Sequence, residues 1–231
     1  MNKEFKSIQF KDNAFGYYYF QNENNNSPIL FLTNDVQKLT ESSYVHQLTE
    51  RHSIFISDLQ TTPTDKRQLI DPPLETYALR IKKLNDLELT NIEIISTLEY
   101  GAYVLELLKT DTNRIKHFIG INTPTSSQSY TESFSAPIER KLNASIRQAN
   151  ISMGAGFICY QINECERILF KDEVDLASLK NSECKVDLIV YNDTILESTT
   201  NDLLKAFKNS SLTKLDNDST EALFTTILNL I

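Results

Sequence analysis

Asn91–Leu108 reads NIEIISTLEYGAYVLELL. Its first half is an apolar, β-branched run, which reads as a buried strand over Ile92–Leu98. Its second half reads as a helix over Glu99–Lys109. The chain must turn sharply between the two. Gly101 and Ala102 supply small residues early in the helix, which let it approach the sheet closely.

The same rhythm extends in both directions. Pro28–Thr33 (PILFLT) and Ser53–Leu59 (SIFISDL) are continuous apolar runs, as expected of strands buried on both faces. Leu39–Arg51 and Leu74–Leu89 carry helical periodicity. Thr61–Pro73, rich in Pro, Thr and Asp, reads as a loop. Downstream, Ile115–Asn122, Val186–Tyr191 and Leu212–Leu215 read as strands, and Thr199–Lys208 as a helix. Thr220–Ile231 reads as a final amphipathic helix with Asp218 or Ser219 as its N-cap. Strands alternating with helices predict a mostly parallel sheet with helices on both faces.

Two segments depart from that rhythm. Phe5–Phe10 and Phe15–Phe20 flank Asp12-Asn13 and read as an antiparallel hairpin. Alternation along its second strand puts Tyr18 on one face and Tyr17 and Tyr19 on the other. Between Thr123 and about Lys180 there is no clear strand. Pro137–Ile151 has the character of a helix, with Pro137 early, where proline is tolerated. Gly154-Ala155-Gly156 marks a helix break rather than a dinucleotide fingerprint, because no parallel strand precedes it and the third glycine is missing. Residues 124–180 therefore read as a helical cap inserted into a single domain spanning 1–231.

Composition narrows the function classes. The 231 residues suffice for one domain with a substantial core, and 40% hydrophobic with 23% charged content fits a globular chain. The formal net charge of -8 repels phosphate backbones and anionic membrane surfaces, so neither nucleic acid nor membrane is the expected partner. No apolar run approaches the ~20 residues that span a bilayer, and MNKEFKSIQFKDN has no apolar signal core. The expected location is the cytoplasm. Cys159, Cys165 and Cys184 form no Cys-x-x-Cys pair and no zinc spacing. Asp71, Glu75, Asp193 and Glu197 show no clustering that calls for a metal. No cofactor is implied.

The order of elements resembles the α/β-hydrolase fold: a hairpin, alternating strands and helices, a strand-to-helix elbow after the fifth strand, and a cap after the sixth. SIFISDL is similar to the family's strand that ends in an aspartate. RIKHFIGINTP is similar to the strand that leads to the cap, and CKVDLIVYND to the strand that ends near the acid residue. The resemblance implies a catalytic serine at the elbow, within Gly-x-Ser-x-Gly. Here those positions are Ser96, Thr97, Leu98, Glu99 and Tyr100. Leucine stands at the nucleophile position, and a one-residue slip would substitute Thr97 or Glu99.

The other positions that the resemblance implies are equally altered. The residue after the nucleophile, which would donate one oxyanion-hole N–H, is Glu99. The loop that would complete the hole is Thr33-Asn34-Asp35. The acid position matches Asp193. The base should lie in Asp216-Asn217-Asp218-Ser219, which has no histidine. His46, His52 and His117 fall elsewhere, His117 at the opposite end of its strand, and each reads as a surface or boundary histidine. Only 5 glycines occur in the chain, few for a family that uses glycine at its functional turns.

A hydrocarbon side chain cannot attack a carbonyl. Ser96 and Thr97 are poor nucleophiles without a base, and Glu99 reads as a first-turn acid favoured by the helix dipole. The expected function is therefore non-catalytic: binding of a small apolar or acyl ligand near Asn34, Leu98, Glu99 and Tyr100, or of a protein partner. The alternatives are an atypical hydrolase or acyltransferase with a relocated site, and a structural subunit of a larger complex.

Overall fold

The structure is a computed structural model that describes residues 3–10, 13–24, 26–33, 35–59, 74–85, 91–110, 114–125, 174–191, 195–215 and 219–231. The strands are β1 (Lys3–Phe10), β2 (Asn13–Phe20), β3 (Ile29–Leu32), β4 (Ile54–Ser57), β5 (Ile92–Thr97), β6 (Ile115–Ile121), β7 (Lys185–Tyr191) and β8 (Ser210–Leu215). They form one sheet in the order β1-β2-β4-β3-β5-β6-β7-β8. From β4 to β8 every neighbouring pair is parallel, while β1 and β2 add as an antiparallel hairpin on one edge. This is the predicted mostly parallel sheet with an antiparallel N-terminal pair.

Burial follows the sequence pattern. β3 and β4 are buried at every position, as runs without alternation require. The helices are α1 (Val36–Thr40), α2 (Ser43–Thr49), α3 (Leu74–Asn85), α4 (Glu99–Leu108), α5 (Ile195–Ala206) and α6 (Thr220–Leu230), with a 3-10 helix at Leu176–Asn181. Two apolar clusters lie on the two faces of the sheet. One joins α3, α4 and α5 to Leu30, Leu32, Ile92, Ile94, Phe118 and Leu188. The other joins α2 and α6 to Ile29, Phe31, Ile95, Ile119 and Ile189. Tyr17 belongs to the first and Tyr18 packs on the second, as alternation predicts.

Local chemistry sets several boundaries. Leu39–Arg51, expected as one helix, is two. The Ser42 hydroxyl accepts from the Val45 N–H and starts a new helix, so the chain breaks at Glu41-Ser42. Ser219 caps α6 by accepting from Ala222. The α5 helix begins at Ile195, earlier than the expected Thr199. Most of the expected cap, residues 126–173, lies outside the described residues. Its two ends meet, because the Val174 N–H donates to the Thr125 carbonyl at 2.9 Å. Among the described residues no helix is long and apolar enough to cross a membrane.

Candidate functional site

The turn between β5 and α4 lies at the carboxyl end of the parallel strands, where open α/β sheets bind ligands. Leu98 forms it with φ 54° and ψ -130°. A residue with a Cβ rarely adopts this backbone, and glycine would hold it without strain. The positive φ falls on Leu98 and not on Thr97 or Glu99. The turn is pinned by the Leu98 N–H, which donates to the Ile121 carbonyl at 2.9 Å, and by Gly101, whose N–H donates back to Leu98 at 3.0 Å.

Glycine is required where α4 meets the end of β6. A Cβ on Gly101 would lie 2.4 Å from Thr123 Oγ1, and one on Gly120 would lie 2.5 Å from the same atom. The Thr123 hydroxyl is thus wedged between two backbones. It and the Ser96 hydroxyl are both buried, with no hydrogen-bond partner among the described residues. Ser96 is fully enclosed. Among the described residues no base is hydrogen-bonded to it to take its proton, which a serine nucleophile needs.

Leu98 is half-buried and packs against the first apolar cluster. Tyr100 is almost fully buried, stands edge-on to Tyr103, and donates its hydroxyl to the Asp58 carbonyl at 2.9 Å. It is a core residue that anchors the loop after β4, so contact with a ligand would require its ring to move. Beside it, the buried Arg80 donates to the Leu59 carbonyl at 2.6 Å. The Thr33 hydroxyl accepts from the Asp35 N–H. Asn34, Asp193 and Asp216–Asp218 lie outside the described residues, as does the side chain of Glu99. The structure thus brings Ser96, Leu98 and Tyr100 to one elbow, of which only Leu98 is partly open.

His117 corrects the sequence reading. His46 is exposed and His52 half-buried, but His117 is buried. It does lie at the amino end of β6, away from the elbow. Its Nε2 is 2.7 Å from Asp187 Oδ2, and its Nδ1 is 3.6 Å from Glu93 Oε2. Burial pushes both carboxyls up, yet both end below the ordinary carboxylate range. For Glu93 the nearby His117 ring, with Lys116 and His52, outweighs burial. For Asp187 the hydrogen bonds from Ser211, Lys185 and His117 do so. A signal for this cluster was present. An acid inside a strand buried on both faces, as Glu93 is in NIEIIST, needs a charged partner. Among the described residues no group of three His, Cys, Asp or Glu side chains could hold a metal ion.

No protein-family model matches the sequence, and no curated protein sequence matches it. Solved structures do match the fold. A membrane phospholipase A described as a bacterial virulence factor has a TM-score of 0.71 at 12% identity, covering 98% of this chain and 85% of that one. The enol-lactonase from Burkholderia xenovorans LB400 has a TM-score of 0.68 at 11% identity, covering 97% and 98%. An alpha/beta hydrolase from Sphaerobacter thermophilus DSM 20745 has a TM-score of 0.65 at 8% identity, covering 97% and 99%. Likeness over nearly the whole chain, with the strand order and the strained turn after β5, identifies the architecture: this chain has the α/β-hydrolase fold.

Proposed function

We propose that this protein is a non-catalytic member of the α/β-hydrolase fold that binds a small apolar or acyl ligand at the elbow. The observation that carries the reading is Leu98 itself. It occupies the strained residue from which a hydrolase would present its nucleophile, and it offers only hydrocarbon there. A methyl-bearing side chain at the carboxyl edge of the sheet can contact an acyl chain and cannot form an acyl-enzyme. The nearest hydroxyl in sequence on the first-cluster face, Ser96, is sealed and lacks a base among the described residues. Fold alone does not carry activity, so the ester chemistry of the phospholipase and the lactonase stays with those proteins.

Two measurements test this. Purified protein should cleave p-nitrophenyl acetate and butyrate no faster than a denatured control. A saturable rate abolished by Ser96→Ala or Thr97→Ala would refute the non-catalytic reading. In a thermal-shift screen, fatty acids and acyl thioesters should raise the melting temperature by mass action, and Leu98→Trp should remove the shift. No shift with any of them would reject the small-molecule ligand and leave a protein partner as the occupant.

A further inference from the structure

Among the described residues, the buried Asp, Glu and His side chains of the sheet fall in a single row on one face. Glu93 on β5, His117 on β6, Asp187 on β7 and Ser211 on β8 all point to the side covered by α2 and α6. Glu93, His117 and Asp187 are buried. Asp187 Oδ1 accepts from the Ser211 hydroxyl, while Oδ2 accepts from His117 Nε2 at 2.7 Å and from Lys185 Nζ at 2.9 Å. Lys185 Nζ also donates to the Leu230 carbonyl, in the last turn of α6, at 3.4 Å. An unbroken polar chain therefore runs from β5 across the sheet to α6.

The row is not built for catalysis. Ser211 donates to Asp187 and not to His117, and both imidazole nitrogens face carboxylates. Among the described residues no hydroxyl is hydrogen-bonded to either ring nitrogen, as a general base would need. What the row contains is charge, placed where an unpaired charge is costly.

We propose that the Glu93–His117–Asp187–Ser211 row is an acid-sensitive latch that holds α6 against the sheet through Lys185. Within α6 Ile227 is fully buried, Leu223, Phe224, Leu228 and Leu230 are partly buried against the second cluster, and Phe224 stacks on Tyr44. The Lys185 contact adds a polar tie at the last turn of the helix to this packing. While Asp187 is ionised, it fixes the Lys185 ammonium in reach of Leu230. Once protonated it no longer attracts that ammonium, whose side chain is 43% exposed and free to return to water. Glu93 acts in the same sense. Its buried Oε2 has no hydrogen-bond partner among the described residues, and its neighbours are the His117 ring at 3.6 Å and Lys116 Nζ at 3.6 Å from Oε1. His52, with Nδ1 2.8 Å from the Ser27 carbonyl, adds further positive charge from the start of β4 when protonated. The ionised carboxylates are what attract Lys116 and Lys185 to the row.

The direction follows from the carboxylates. Both are held below the range of unfolded acids. Their contribution is therefore complete above that range, and it fades as pH falls through the lower folded values.

Hydrogen exchange of the intact protein, corrected for intrinsic rates, from about pH 7 to about pH 3 spans that range. The amides of α6 should lose protection at a higher pH than those of β5 and β6. Ser211→Ala keeps every charge but removes a bond to ionised Asp187, so α6 should release at a higher pH than in the wild type. In Asp187→Asn, α6 should lose up to about fivefold in protection already at neutral pH, the most that an ion pair with a half-exposed lysine carries. Simultaneous loss of protection in α6 and β5 in the wild type would overturn the proposal. So would an unmoved release pH in Ser211→Ala, which decides the matter even if Asp187→Asn does not fold.

Discussion

Replacing Leu98 by glycine and by alanine isolates the cost of the strained turn. Both substitutions remove the same half-buried side chain beyond Cβ, worth about 1 kcal/mol if full burial of leucine is worth about 1.5–3. Alanine keeps the Cβ and therefore keeps the strain of φ 54°, ψ -130°. Glycine relieves it, a gain of roughly 1–3 kcal/mol, against about 0.5–1 kcal/mol for the extra freedom of glycine in the unfolded chain. Leu98→Ala should thus be destabilised by about 1 kcal/mol, and Leu98→Gly should be more stable than Leu98→Ala by about 1 kcal/mol. This inverts the usual order of the two residues. Urea unfolding with a constant m-value measures the difference, and in a chain of this length 1 kcal/mol moves Tm by about 2–4 °C. If alanine proves the more stable variant, the turn is not strained as argued, and the assignment of Leu98 to the nucleophile position loses its main support.

Ser96→Ala removes a buried hydroxyl with no partner among the described residues, so it should be neutral or stabilising by up to about 1 kcal/mol in urea unfolding; a loss above that would reveal a hydrogen bond made by Ser96. Gly101→Ala should cost about 1–3 kcal/mol by overpacking against Thr123, and Thr123→Ala should recover part of that cost in the double variant. Leu98→Ser alone should not hydrolyse p-nitrophenyl butyrate efficiently, and Asp218→His or Ser219→His in addition should be needed for weak turnover; robust activity in the single variant would reveal an unrecognised base. Burial pushes the Cys184 thiol up to about 12, so it should resist alkylation in the native protein, as peptide mass spectrometry would show. The unfolded thiol ionises near 9 and the folded one later, so Cys184 should make stability fall as pH rises from 9.0 towards 12.

The sheet was legible because its strands are short apolar runs separated by helical periodicity, a local property of the chain. The elbow was legible for the same reason: IEIIST and EYGAYVLELL abut with no room for a loop. Its defining dihedral could be placed at Leu98 by position, although leucine has no preference for it. The break between α1 and α2 depends on one Ser42 hydroxyl finding one N–H, which periodicity does not register. The misread residue was His117. Its partners are Glu93 and Asp187, the latter 70 residues away, and they meet only through the register of three parallel strands. Alternation within IKHFIGI shows which face His117 takes, not what waits there. The burial of Tyr100 under the loop after β4 is equally hidden from the sequence, because it depends on a contact with Asp58 that spans 42 residues.

The hydrogen bond between Val174 and Thr125 joins the two ends of a long stretch of chain at a single point. The chain thus leaves the sheet past Thr125 and rejoins it from Val174 through one doorway. Replacing that stretch, lengthening it or shortening it need not disturb β6 or β7, since the entropy of closing a longer loop grows only logarithmically. The sheet and the excursion can therefore diverge at different rates. A lineage could keep the scaffold and exchange the piece beyond the doorway, acquiring a new specificity as a single exchangeable cassette.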